Sequence, residues 1–325
     1  MQKDPRIAWR HALMARSFQL IYPAMQKAFF ADPALEFATK PIKPYTTIKI
    51  PTRHGPVDAL VFAPTDVDLA AQRMRGEKAP VHLLTHGGAY ITRLPREEGN
   101  VARYLASELG CFVVVPDYHA APQVRFPVAE EECFDAYFWI LANGEARGWD
   151  TTRVSVGGPS AGGSIALAVA LMAIDQGRPL PVAVTSEYGV ADVGRPDSER
   201  PSSKKNPVVS PMLMRLVRNT YVKGIDMANG YSSPLFHPRL AELPPVLVLT
   251  AEYDTLRHES NDLADKLRFL GVAVTHKQFA GVDHGFTHQK PAAVAREAIV
   301  MIGNHLKAGY ARGLATKNDK DMSND

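Results

Sequence analysis

The stretch Val154-Ser155-Val156-Gly157-Gly158-Pro159-Ser160-Ala161-Gly162-Gly163-Ser164-Ile165-Ala166-Leu167-Ala168-Val169 reads as a short β-branched strand, a turn of small residues, and a helix apolar on every side. Its centre, Gly158-Pro159-Ser160-Ala161-Gly162, is a G-x-S-x-G pattern in the strand-turn-helix context that gives the pattern meaning. Such a turn is sharp, and the small flanking residues remove side chains that would otherwise clash in it. It lifts the Ser160 hydroxyl above the sheet edge and aims the first N–H groups of the helix at whatever approaches that hydroxyl. A phosphate-binding loop is the competing reading, and the missing Gly-Lys-Ser/Thr ending disfavours it.

Outward from this centre, short apolar runs alternate with helical patterns. Strands are predicted at 46–50, 59–63, 81–85, 112–115, 154–157, 182–186, 246–250 and 274–279, and helices at 97–109, 129–141, 161–175, 259–270 and 291–306. Gly110, Gly144, Gly177 and Gly271 stand just past four of the helices, where left-handed caps form. The turn Arg53-His54-Gly55-Pro56 joins the first two strands as an antiparallel hairpin. The alternation predicts an α/β fold: a mostly parallel eight-stranded sheet with helices on both faces. Two segments break the rhythm. Residues 1–44 carry Ile7, Leu13, Phe18, Met25 and Phe29 at helical spacing but no strand, and residues 189–235 are rich in Pro, Ser and charge with one amphipathic stretch, 212–222. Both read as parts of a helical lid, which leaves 45–188 and 236–310 as the two parts of the core. The polar tail 311–325 lacks apolar periodicity and is predicted to be disordered.

The whole chain has 325 residues, 46% hydrophobic and 22% charged, with 37 Lys and Arg against 34 Asp and Glu. These charges are intermixed, so no basic stripe points to nucleic acid. The longest apolar run, 165–174, is about half a membrane span. The N-terminus lacks the layout of a secretory signal, and Cys111 and Cys133 sit in apolar surroundings without a disulfide framework. The reading is a soluble, cytoplasmic protein.

A Ser hydroxyl needs an adjacent base, and the base needs an orienting acid. Asp254, in Ala251-Glu252-Tyr253-Asp254, follows the strand at 246–250, and His284, in Gly281-Val282-Asp283-His284-Gly285-Phe286, follows the strand at 274–279. Both stand at carboxyl ends of strands, where sites form in open α/β sheets; Glu252 is the rival acid. His86-Gly87-Gly88-Ala89 follows the strand at 81–85. Backbone N–H groups of this turn, with that of Ala161, would form a hole for an oxyanion, and His86 reads as an anchor of the turn. His82 and His86 stand about 13 Å apart along an extended strand, too far to share one ion. No Cys pair or His-Glu-x-x-His run is present, so neither metal nor cofactor is predicted.

Taken together these residues resemble the α/β-hydrolase fold and, within it, the hormone-sensitive-lipase-like (family IV) serine esterases. His86-Gly87-Gly88-Ala89-Tyr90 resembles the family's His-Gly-Gly-Gly motif, and Asp117-Tyr118-His119-Ala120-Ala121-Pro122 with Phe126-Pro127 resembles Asp-Tyr-Arg-Leu-Ala-Pro…Phe-Pro. Gly158-Pro159-Ser160-Ala161-Gly162-Gly163 resembles Gly-Asp-Ser-Ala-Gly-Gly. Asp254-Thr255-Leu256-Arg257-His258-Glu259 resembles Asp-Pro-Leu-Arg-Asp-Glu, and His284-Gly285-Phe286 resembles the segment of the triad base. The resemblance implies Ser160 as nucleophile, His284 as general base and acid, and Asp254 as the residue orienting it. It also implies an oxyanion hole from Gly87, Gly88, Ala89 and Ala161. Pro159, Ala89, His119 and His258 depart from the pattern. The implied activity is that of a cofactor-free serine carboxylesterase acting on small short- to medium-chain esters, with a possible homodimer through the last edge strand. Amidase or deacetylase activity on the same triad is the near alternative. A non-catalytic small-molecule receptor is the distant one, since this chain keeps all three triad members.

Overall fold

The computed structural model describes residues 7–26 and 32–322; Phe29, assigned above to the lid, lies outside them. Eight strands form one sheet: β1 (Thr46–Ile50), β2 (Val57–Phe62), β3 (Ala79–Leu84), β4 (Phe112–Pro116), β5 (Trp149–Pro159), β6 (Val184–Glu187), β7 (Val246–Ala251) and β8 (Val274–Phe279), in the order β1-β2-β4-β3-β5-β6-β7-β8. The hairpin β1–β2 is antiparallel and β2 pairs antiparallel with β4; from β4 to β8 every neighbour is parallel. The helices are α1 (Trp9–Gln26), α2 (Asp66–Met74), α3 (Gly99–Leu109), α4 (Val128–Asn143), α5 (Ala161–Asp175), α6 (Pro211–Thr220), α7 (Arg257–Phe269) and α8 (Ala292–Met322).

Alternation along the strands separates two cores. Val246 and Val248 of β7 face one side and Leu247 and Leu249 the other, as a period of two demands. The first core takes α4, α5 and α7, with residues such as Tyr137, Leu167 and Leu263. The second takes α3 and α8, with Leu105, Ile299 and Leu306. Each fully buried aliphatic side chain contributes roughly 1.5–3 kcal/mol. Every residue of α5 from Ala161 to Ile174 is buried, which explains a helix apolar all round.

Three sequence expectations change. α2 was not anticipated, although Thr65 caps it by accepting the Asp68 N–H (3.1 Å) and Asp66 and Asp68 sit in its first turn, a start signal by side-chain capping and helix dipole. Gly144 is right-handed, and the left-handed turn falls at Gly148 instead. The helix α8 runs on to Met322, through most of the tail predicted to be disordered. Extending an existing helix adds a bond per residue without a new nucleus, so polarity alone does not stop it.

The tightest approach in the fold lies where β3 ends beside the turn between β5 and α5. A Cβ on Gly162 would stand 1.9 Å from the Thr85 carbonyl oxygen and 2.7 Å from that of His86. Backbone on both sides leaves no flexible atom to yield, so Gly162→Ala is expected to cost at least about 1–3 kcal/mol. The expected outcome is a Tm lowered by several degrees or loss of soluble protein; an unchanged melting curve would contradict this account.

Candidate active site

Three loops at the carboxyl end of the sheet bring Ser160, Asp254 and His284 together. Ser160 links β5 to α5 with φ 57° and ψ −126°, a conformation that costs a non-Gly residue on the order of 1–3 kcal/mol. Its neighbours hold it there: the Ser160 N–H donates to the Glu187 carbonyl (2.8 Å), and the Thr85 hydroxyl donates to the Gly157 and Gly162 carbonyls (3.0 and 2.7 Å). Pro159 pairs with Glu187 at the last position of the strand.

His284 Nδ1 lies 2.8 Å from Asp254 Oδ2, and its Nε2 lies 2.8 Å from Ser160 Oγ. The carboxylate can only accept, so Nδ1 carries the proton and Nε2 presents its lone pair to the Ser160 hydroxyl. Asp254 is fully buried and His284 is 8% exposed. The other Asp254 oxygen accepts the Leu256 N–H at 2.9 Å, which fixes the carboxylate plane. Tyr188 meets the His284 ring edge-on, with centroids 4.8 Å apart. The rival acid Glu252 is turned away and accepts the Gly281 N–H at 2.7 Å.

The turn after β3 is left-handed at Gly88 (φ 120°) and at Ala89 (φ 54°). A methyl group at such a φ is strained, so Ala89 holds by force of its surroundings the conformation that glycine would adopt freely. Among the described residues, the N–H groups of Gly88, Ala89 and Ala161 have no acceptor. That of Gly87 does: it donates to Glu98 Oε1 at 3.1 Å. Gly87 therefore stands apart from the other three candidate donors. His86 anchors the turn, donating from Nδ1 to the Gly87 carbonyl (2.6 Å) and stacking on Tyr118 at 4.0 Å. Burial holds its pKa below the ordinary value, so it is a neutral strut.

A cavity of about 370 Å³ opens over Ser160 and His284, within the usual range for small-molecule sites. Phe18 and Ile21 of α1 and Leu213 and Leu216 of α6 give it apolar walls. Sequence reasoning missed three acidic residues at the site, Asp283, Glu97 and Glu98. Asp283 accepts the His284 N–H through one oxygen (2.7 Å) and binds Lys204 and the Val208 N–H through the other (2.9 and 3.0 Å). Glu97 lines the cavity with a buried oxygen that has no partner among the described residues. Only position could reveal them, since none belongs to a motif. His82, the other half of the rejected metal pair, faces Ser155 Oγ at 2.9 Å. Among the described residues no three His, Cys, Asp or Glu side chains are grouped to hold a metal.

A family described as having the alpha/beta hydrolase fold matches residues 82–288. The chain is 30% identical over 238 residues to an arylesterase from Saccharolobus solfataricus, covering 68% of this chain and 72% of that one. It is also 30% identical over 230 residues to an ethyl acetate hydrolase from Pseudomonas putida, covering 69% and 72%. The solved esterase of Pyrobaculum calidifontis superposes with a TM-score of 0.80 at 32% identity, covering 90% of this chain and 92% of that one. The chain belongs to the alpha/beta hydrolase family, and it is an enzyme of the hydrolase class. Among the described residues no helix is long and apolar enough to cross a membrane.

Burial, with the Glu98 charge as a second cause, pushes the Glu97 carboxyl up from 4.5 to about 9. The folded state thus keeps a proton that the unfolded chain releases above about pH 4.5, so this contribution to stability is full at acid pH and lost as pH rises toward 9. Glu130, Glu187 and Glu259, raised to about 7, act in the same direction at lower pH. Among the described carboxyl groups, Glu97 is the one whose shift carries this fall on from about pH 7 toward 9. Glu97→Gln is expected to flatten the fall of Tm in that interval; an equal fall in variant and wild type would refute the assignment.

Proposed function

We propose that this protein hydrolyses carboxylic esters of short- to medium-chain acids through an acyl-enzyme on Ser160. The observation that carries the proposal is the hydrogen-bonded sequence Ser160–His284–Asp254, with both contacts at 2.8 Å, at the floor of an apolar cavity. The names of the relatives, an arylesterase and an ethyl acetate hydrolase, support the ester as substrate class.

In this mechanism His284 Nε2 takes the proton of Ser160 as Oγ attacks the ester carbonyl carbon. Asp254 stabilises the resulting imidazolium and keeps its ring oriented. Charge on the former carbonyl oxygen meets the N–H groups of Gly88, Ala89 and Ala161 at the positive end of α5. The carbon–oxygen bond to the alcohol then breaks, and His284 returns its proton to the leaving alkoxide. Water then attacks the acyl carbon as His284 takes one of its protons, the bond from that carbon to Ser160 Oγ breaks to release the acid, and His284 returns the proton to Oγ.

Segments 1–44 and 189–235 act as a lid in this reading: α1 and α6 both contribute walls to the cavity, so they set which acyl chains fit. The edge strand β8 offers unpaired backbone groups that would suit a homodimer seam. Two buried free cysteines fit a reducing, cytoplasmic setting.

Purified enzyme and variants should be compared on p-nitrophenyl esters from acetate to decanoate. Ser160→Ala is expected to abolish turnover, and Asp254→Asn to lower kcat by roughly 10⁴-fold through the wrong His284 tautomer. Turnover should peak among the shorter chains. Wild-type-like rates in Ser160→Ala would sink the proposal.

A further inference from the structure

Gly87 presents a problem that the triad does not explain. It opens the turn whose next two N–H groups serve the oxyanion in the reading above, on which this inference rests. As a glycine it has no side chain to hold its backbone, yet the direction of the Gly88 N–H depends on the peptide it begins. It packs on the nucleophile turn, since a Cβ there would lie 3.6 Å from both the Pro159 carbonyl oxygen and Ser160 Cβ.

One side chain tethers it. Glu98, 2% exposed, accepts the Gly87 N–H at 3.1 Å through Oε1; its Oε2 stands 3.3 Å from His288 Nε2, within ion-pair distance but not aligned as a hydrogen bond. His288 Nδ1 lies 2.9 Å from Thr287 Oγ1, and that hydroxyl meets the Tyr188 hydroxyl. Tyr188 in turn supports the His284 ring. A second link from the same helix start runs parallel: Asn100 donates to the Thr287 carbonyl at 2.9 Å. We propose that Glu98 is a positioning residue that locks the turn bearing the oxyanion donors to the loop bearing the general base, so that both are set against Ser160 at once.

The role is distinct from simple fold support. A tether of this kind is felt in the transition state, where the donors must meet a tetrahedral oxygen, far more than in the ground-state complex. Glu98→Ala removes it. Glu98→Asp keeps the charge but draws the oxygen back by one methylene, and Glu98→Gln keeps an acceptor at full length. The test measures kcat and KM on p-nitrophenyl butyrate, Ki for phenylboronic acid, whose boron becomes tetrahedral on Ser160, and Tm, beside wild type and Ser160→Ala. In Glu98→Ala, kcat is expected to fall about 10- to 100-fold with KM changed by less than about threefold. Ki for the boronate should rise in step with the loss of kcat. Glu98→Asp should share the pattern in milder form with its Tm near wild type, which keeps the test decisive if Glu98→Ala does not fold. Glu98→Gln should recover most of the loss. Folded Glu98→Ala or Glu98→Asp with unchanged kcat and boronate Ki, or a change confined to Tm or KM, would overturn the proposal. Failure of the underlying reading looks different: wild type would not cleave the ester, or Ser160→Ala would.

Discussion

The contact on which the site depends is the backbone approach between the end of β3 and the turn that follows β5. The Thr85 N–H donates to the Gly157 carbonyl at 2.8 Å and its hydroxyl bridges Gly157 and Gly162. A Cβ on Gly158 or Gly162 would fall 2.0 or 1.9 Å from the Thr85 oxygen. Two chain segments about seventy positions apart thereby become one rigid unit. The turn at Gly88 and Ala89 and the hydroxyl of Ser160 have a set separation because nothing but hydrogen can lie between their supports. The left-handed strain at Ser160 and Ala89 persists for the same reason, since relaxing either would break packing on both sides.

The loops that carry Asp254 and His284 are joined by a different device, the segment at 200–210. Arg200 forms a buried pair with Glu259 at 2.7 Å, and Ser202 donates to the Tyr253 carbonyl at 2.6 Å. Thr255, next to Asp254, donates to the Val209 carbonyl at 2.8 Å, while Asp283 holds Lys204 and Val208. One strap thus touches the loop of Asp254 and the loop of His284, then continues into α6 on the cavity wall. The arrangement ties the shape of the cavity to the position of His284. An ion pair such as Arg200–Glu259 gains little over an apolar pair of the same volume, and its geometry is what gives register to the strap.

Much of this was legible in the residues. The period-two strands, the apolar α5 and the order Ser160, Asp254, His284 are local signals: each depends on burial pattern or turn chemistry within a few positions. The β-hairpin and the parallel run followed from the same signals, because crossover connections leave few topologies open. What stayed hidden depends on partners distant in sequence. Glu252 and Asp254 are equivalent as text, and only the direction of each carboxylate separates them. Glu98 and Asp283 carry no motif, because a carboxylate becomes an anchor through the donors that lie within hydrogen-bond reach of it. Gly87 resembles Gly88 in sequence, yet its N–H belongs to Glu98. α2 was overlooked since its signal is a cap and not an apolar stripe, and α8 outran its apolar face because helix extension needs no new nucleus.

Local sequence dictates the sheet, the elbow that presents Ser160 and the chemical types available at three strand ends, since backbone propensity, periodicity and small-residue turns are properties of neighbouring residues. The folded chain adds which acid hydrogen-bonds His284, which N–H groups beside Ser160 are left open, and how α1 and α6 bound the cavity. Those outcomes are distances between residues remote in the chain, and hydrogen bonds and burial act over a few ångströms, so they exist only once the chain has folded.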